Sequence, residues 1–170
     1  MPGIGSNPHP TGAFALVDHD GRRVSQDSYR GFYRLVYFGF THCRVVCPRN
    51  LAKLSAALDA IGDAANEIRP LYITVDPERD SPEVMRAFLA AYPRFTGLTG
   101  SLDDIEQAKR AFRIFARKVD DEATGYAVPH SSITHVMVRD GAYAAHFLDS
   151  TPAEEIAERL RALAGGRLVG

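Results

Sequence analysis

The chain has 170 residues, 45% of them apolar, with 20 Lys plus Arg against 21 Asp plus Glu for a formal net charge of −1. That length supports one substantial core rather than two, and balanced charge with no basic run beyond Arg22-Arg23 excludes nucleic acid as a partner. No uninterrupted apolar span approaches the roughly 18 residues of a membrane-spanning helix, and the opening MPGIGSNPHPTG has neither the basic start nor the apolar run of a signal peptide.

Residues 1–12, rich in Gly and Pro, are expected to form a flexible leader. Ala13 to Val17, the turn Asp18-His19-Asp20-Gly21 and Arg22 to Val24 read as a hairpin, with Asp-Gly as its turn signal. His9 and His19 fall in these segments and read as solvated side chains, since no second ligand type stands beside either.

The stretch LVYFGFTHCRVVCP, from Leu35 to Pro48, organises the chain. Leu35 to Phe38 is short and β-branched or aromatic, which predicts a buried strand. From Cys47 the apolar positions Leu51, Leu54, Leu58 and Ile61 recur at steps of three and four and trace one helical face, which Cys47 extends upstream. Cys43 and Cys47 are the chain's two cysteines. With a helix start near Cys43, their spacing puts both sulfurs on one side, where unpaired N–H groups and the helix dipole favour anions. Thiolate is the form that binds soft metals and exchanges disulfides. The plainer reading is a structural disulfide or two buried thiols. Metal-free and in air, Cys43 and Cys47 are expected to close a disulfide.

After a stop at Gly62, Leu71 to Val75 predicts a second buried strand, and the β-α-β order implies parallel neighbours. Asp76-Pro77-Glu78-Arg79-Asp80 then forms a turn, with Ser81 capping and Pro82 opening a helix to about Ala91. Loops at the C-terminal ends of parallel strands line the sites of open α/β sheets, so Asp76 and Asp80 are candidates for holding the site loops. Pro93 to Gly100 reads as a loop. Ser101 with Asp104 reads as a capping box for a helix to Phe112, followed by a strand over Ile114 to Val119 and a polar loop. Ile133 to Val138, the Asp140-Gly141 turn and Ala142 to Leu148 predict a hairpin, and a capping box at Thr151-Pro152-Ala153-Glu154 opens a last helix to Gly165. His135 alternates with Ile133 and Met137, and it and His146 read as packed or rim histidines. The expected organisation is a leader over 1–12, one domain over 13–166 and a tail over 167–170.

This order describes an α/β, thioredoxin-like fold: a central mixed sheet flanked by helices, with an N-terminal β-hairpin. The paired cysteines stand where that fold carries its redox motif, although the usual spacer is two residues and here it is three. Tyr126-Ala127-Val128-Pro129-His130-Ser131 precedes the hairpin. In such a fold that loop lies against the start of the cysteine helix, bringing His130 toward the thiolates. Two soft sulfurs favour Cu(I) and one nitrogen also suits Cu(II), so a Cys2His set reads as exchangeable copper. Zinc with a water is chemically open too.

The chain resembles the Sco/SenC family of copper-binding thioredoxin-fold proteins. The matches are Tyr37-Phe38-Gly39-Phe40-Thr41-His42-Cys43 with Cys47-Pro48, then Ile73-Thr74-Val75-Asp76-Pro77-Glu78-Arg79-Asp80-Ser81-Pro82, Gly97-Leu98-Thr99-Gly100, Tyr126 to Ser131, and Asp140-Gly141. They run from about residue 12 to 150. The resemblance implies copper held by Cys43, Cys47 and His130. His42 belongs to the same motif, but adjacent side chains in an extended segment point to opposite faces, so it reads as a group that tunes the thiolates and not as a ligand. The resemblance further implies a metallochaperone or assembly factor for the dinuclear copper centre of cytochrome c oxidase, with the copper-bearing subunit or another copper chaperone as partner. It also implies a periplasm-facing location through an anchor absent from this chain; a monomer is expected. Two motif positions depart from the family. Arg44-Val45 replaces the usual Pro-Asp, and Pro129 replaces an Asp where thioredoxin-like proteins commonly carry a cis-proline. The alternative is accordingly a thiol-disulfide oxidoreductase using the Cys43/Cys47 dithiol without obligatory metal. A peroxiredoxin-type peroxidase is set aside, because the threonine expected three residues before its reactive cysteine is Arg44.

Overall fold

The computed structural model describes residues 10–42, 46–121, 125–127 and 132–164. In chain order, β1 (Ala15–Asp18) and β2 (Arg23–Ser25) form the N-terminal hairpin, β3 (Tyr33–Gly39) leads to α1 (Val46–Ala60), and β4 (Ile68–Thr74) leads to α2 (Pro82–Leu89). Next come β5 (Thr96–Thr99), α3 (Leu102–Phe112), the short ribbon β6 (Val119–Asp121) and β7 (Gly125–Ala127), the hairpin β8 (Ile133–Met137) and β9 (Tyr143–Leu148), and α4 (Ala153–Ala164). Seven strands make one mixed sheet in the order β2-β1-β5-β4-β3-β8-β9. β3, β4 and β5 run parallel, and the flanking pairs are antiparallel.

An unbroken apolar strand can be buried only where both faces of a sheet are covered, and β3 takes that central place. Its side chains alternate: Leu35 and Tyr37 join the core under α1, α2 and α4, whereas Val36 and Phe38 join the core under α3. β4 follows the same rule, with Tyr72 on the first side and Leu71 and Ile73 on the second. Leu51, Leu54 and Leu58 form the predicted stripe on α1 and are buried. Each contributes on the order of 2 kcal/mol relative to leaving it exposed. The Asp18-to-Gly21 turn is closed by Asp18, whose Oδ1 accepts from the N–H groups of Asp20 and Arg22 at 2.9 Å each.

Three predicted elements are corrected. Thr96–Thr99 is a strand rather than part of a loop, because it pairs with β4 on one side and β1 on the other. The strand expected from Ile114 starts only at Val119. α3 ends in Arg113 with a left-handed φ of 58°, and Ile114 tucks into the core while Phe115 points outward, 82% exposed. The capping box expected at Thr151 is also absent: Thr151 Oγ1 instead accepts from Leu148 N–H at 3.1 Å, and the first helical bond of α4 runs from Ile156 N–H to the Pro152 carbonyl.

Candidate metal and thiol site

The start of α1 sits at the C-terminal end of β3. There Cys47, in the first helical turn, is fully buried. The parallel register sets Tyr37 directly beside Tyr72, so both rings project from one face of the sheet toward α1, with centroids 5.9 Å apart. The Tyr37 hydroxyl donates to Cys47 Sγ at 3.8 Å. Asn50, one turn along α1, donates through Nδ2 to the Tyr37 hydroxyl at 3.1 Å and to Ser132 Oγ at 3.3 Å. Burial, reinforced by the neighbouring sulfur, pushes the pKa of Tyr37 and of Tyr72 upward, so both hydroxyls keep their protons as donors. Gly39 makes the approach possible: a Cβ there would lie 2.6 Å from the Tyr72 hydroxyl and 2.7 Å from Cys47 Sγ.

A second polar cluster fixes the chain just before Cys43. The buried Asp80 carboxylate accepts from Thr41 N–H at 3.1 Å, from Thr41 Oγ1 at 2.5 Å and from Thr74 Oγ1 at 2.7 Å. Its own carbonyl accepts from Thr99 Oγ1 at 2.7 Å. One residue thereby ties together the ends of β3, β4 and β5. Burial raises the Asp80 pKa, and the threonine hydrogen bonds oppose that rise. Arg79 Nε donates to Asp76 Oδ2 at 2.5 Å, and ligand-type atoms of exposed His42 and of Asp76 and Asp80 lie within 4.8 Å of one another. The carboxylates are engaged by Arg79 and the threonines, so this cluster reads as scaffold.

Of the residues singled out in the sequence, Cys47 stands at the strand-to-helix junction as expected. Cys43, Arg44, Val45, Pro129 and His130 lie outside the described residues, as do His9 and the expected Cys43–Cys47 disulfide. His135 is buried, as predicted, and neither ring nitrogen has a hydrogen-bond partner among the described residues. His146 is exposed and its Nδ1 meets the Tyr143 hydroxyl at 2.5 Å. His19 corrects its reading as merely solvated, because its Nδ1 accepts from Gly97 N–H at 2.9 Å and fastens the first hairpin to β5. Sequence reasoning missed Tyr37, Tyr72 and Asn50 as neighbours of the thiol. The available signal was period-two alternation, which puts both tyrosines on the face that receives the cysteine helix.

A thioredoxin-like α/β fold with a cysteine in the first turn of the helix after its central strand defines a class of thiol- and metal-handling proteins. Within that class, the chain belongs to the SCO1/SenC family, whose family model matches residues 4–165. It is 35% identical over 158 residues to Protein sco1 of Schizosaccharomyces pombe, which covers 90% of this chain, and it spans only 60% of that relative's length. It is similar to the copper-bound structure of Bradyrhizobium japonicum ScoI, with a TM-score of 0.84 and 34% identity over 91% of this chain and 99% of that one. It is also similar to BsSco, described as having a disulfide switch and as a member of the Sco family of cytochrome c oxidase assembly proteins, with a TM-score of 0.72 and 25% identity over 92% of this chain and 94% of that one. Among the described residues, no helix is long and apolar enough to cross a membrane.

Proposed function

We propose that this chain carries copper as exchangeable cargo on Cys43, Cys47 and His130 and serves the assembly of the dinuclear copper centre of cytochrome c oxidase. The observation that carries the reading is Asn50, whose Nδ2 joins Tyr37, beside Cys47, to Ser132, two residues beyond His130. It tethers the end of the β7-to-β8 connection to the cysteine helix. Two thiolates suit Cu(I) and an imidazole also accommodates Cu(II), while a three-ligand set leaves a position through which the ion can pass to a partner. The copper-bound ScoI structure, spanned almost whole by this chain, supports the same reading. The partner is the copper-bearing oxidase subunit or another copper chaperone, met by a monomer at the periplasmic face of the membrane. Titrating the reduced protein with Cu(II) tests it. A sulfur-to-copper charge-transfer band saturating at one equivalent, and lost in His130→Ala and Cys47→Ser, is the expected result.

The second reading, disulfide exchange without metal, is favoured by Pro129 and by the disulfide switch described for BsSco. It is the one to adopt if wild type and His130→Ala both bind little copper and both exchange rapidly with glutathione.

A further inference from the structure

Tyr72 is left unexplained by packing alone. Its ring is wholly buried, stacked on Phe88 at 5.7 Å and tilted against Tyr37 at 5.9 Å. Phenylalanine would supply that packing equally well. The hydroxyl, by contrast, has no conventional hydrogen-bond partner among the described residues, and a buried hydroxyl left unpaired is destabilising. The polar atom it faces is sulfur. The space left by the missing Gly39 Cβ is bounded at 2.6 Å by this hydroxyl and at 2.7 Å by Cys47 Sγ. Tyr37 approaches the same sulfur from the adjacent strand.

We propose that Tyr72 is a positioning residue for Cys47: its hydroxyl donates a hydrogen bond to the sulfur when that sulfur is a thiolate or a copper ligand, sharing the atom with Tyr37. The inference rests on the copper reading for its metal-bound consequence and on the thiolate alone for its metal-free one. A hydrogen bond draws electron density from the sulfur. It weakens donation to Cu(II) relative to Cu(I) and raises the copper reduction potential, as hydrogen bonds to cysteine sulfur do in other copper sites. Without metal it stabilises the reduced dithiol. In the exchange by which the Cys43–Cys47 disulfide and two glutathione thiols give the dithiol and glutathione disulfide, it favours the right-hand side.

The experiment compares wild type, Tyr72→Phe and Phe88→Leu. The last perturbs the same ring stack without touching a polar atom. In Tyr72→Phe the sulfur-to-Cu(II) band is expected to move to longer wavelength and the copper potential to fall. The metal-free equilibrium against glutathione is expected to shift several-fold toward the disulfide. Phe88→Leu should lower the melting temperature and leave the band, the potential and the equilibrium in place. A Tyr72→Phe protein matching wild type in both the spectrum and the equilibrium overturns the proposal, as does a Phe88→Leu protein that moves them equally. If wild type itself gives no charge-transfer band, the copper reading has failed, and the glutathione equilibrium decides: a several-fold shift in Tyr72→Phe sustains the role of Tyr72, and no shift ends it.

Discussion

Gly39 shows how tightly the residues around Cys47 are fitted. A single methyl group there meets the Tyr72 hydroxyl, the Tyr72 ring at 2.8 Å and Cys47 Sγ at once. Both tyrosines are locked into a sheet, so neither ring can withdraw cheaply. Gly39→Ala is therefore expected to destabilise the fold by about 1–3 kcal/mol through overpacking and to displace α1 from the end of β3. Urea unfolding reads the first effect, and weakened copper uptake reads the second. In the sequence Gly39 stands out only as one position of the Tyr37-to-Cys43 family motif. The need for a missing Cβ arises from a helix placed across two strands, which no local pattern encodes.

At the scale of elements, the loop from Asp76 to Asp80 acts as a clasp. Asp80 satisfies three donors from the ends of β3 and β4, and Asp80→Ala strands them. The expected loss is about 2–3 kcal/mol, since each unmet buried donor costs about 1 kcal/mol or more while the cost of burying the carboxylate is recovered. Because Thr41 stands two residues before Cys43, copper affinity should fall as well. Thermal unfolding and a copper titration check the two effects. Here the sequence was partly legible. The strand-end argument pointed to Asp76 and Asp80, and the apolar runs marked β3 and β4 directly. β5 was not legible, because Thr96-Gly97-Leu98-Thr99 has little apolar alternation of its own and becomes a strand by pairing on both edges. The apolar residues from Ile114 misled in the opposite direction. With Phe115 outside and Ile114 inside, they finish the helix cap instead of extending a sheet.

For the whole molecule, acid sensitivity concentrates in His135. Burial, with a smaller contribution from His146 on the adjacent strand, lowers its pKa from 6.5 to about 4. The unfolded chain therefore takes up this proton first as pH falls. The stability it reflects is complete above pH 6.5 and erodes between about 6.5 and 4, the loss reaching about 3 kcal/mol once both states are protonated. Asp80, raised by burial, works in the opposite sense at acid pH. Urea midpoints of wild type and His135→Phe across this range isolate the histidine: the difference between the two proteins should change by that amount between pH 7 and pH 4.

The central claim also belongs to the whole molecule, since it requires two distant segments of chain to meet at one ion. X-ray absorption at the copper edge, on the reduced wild-type protein loaded with one equivalent of Cu(I), tests it most directly. The expected coordination shell is two sulfurs and one imidazole nitrogen, reduced to sulfur ligation alone in His130→Ala. A shell of oxygen and nitrogen only, such as His42 and Asp76 would provide, would contradict it.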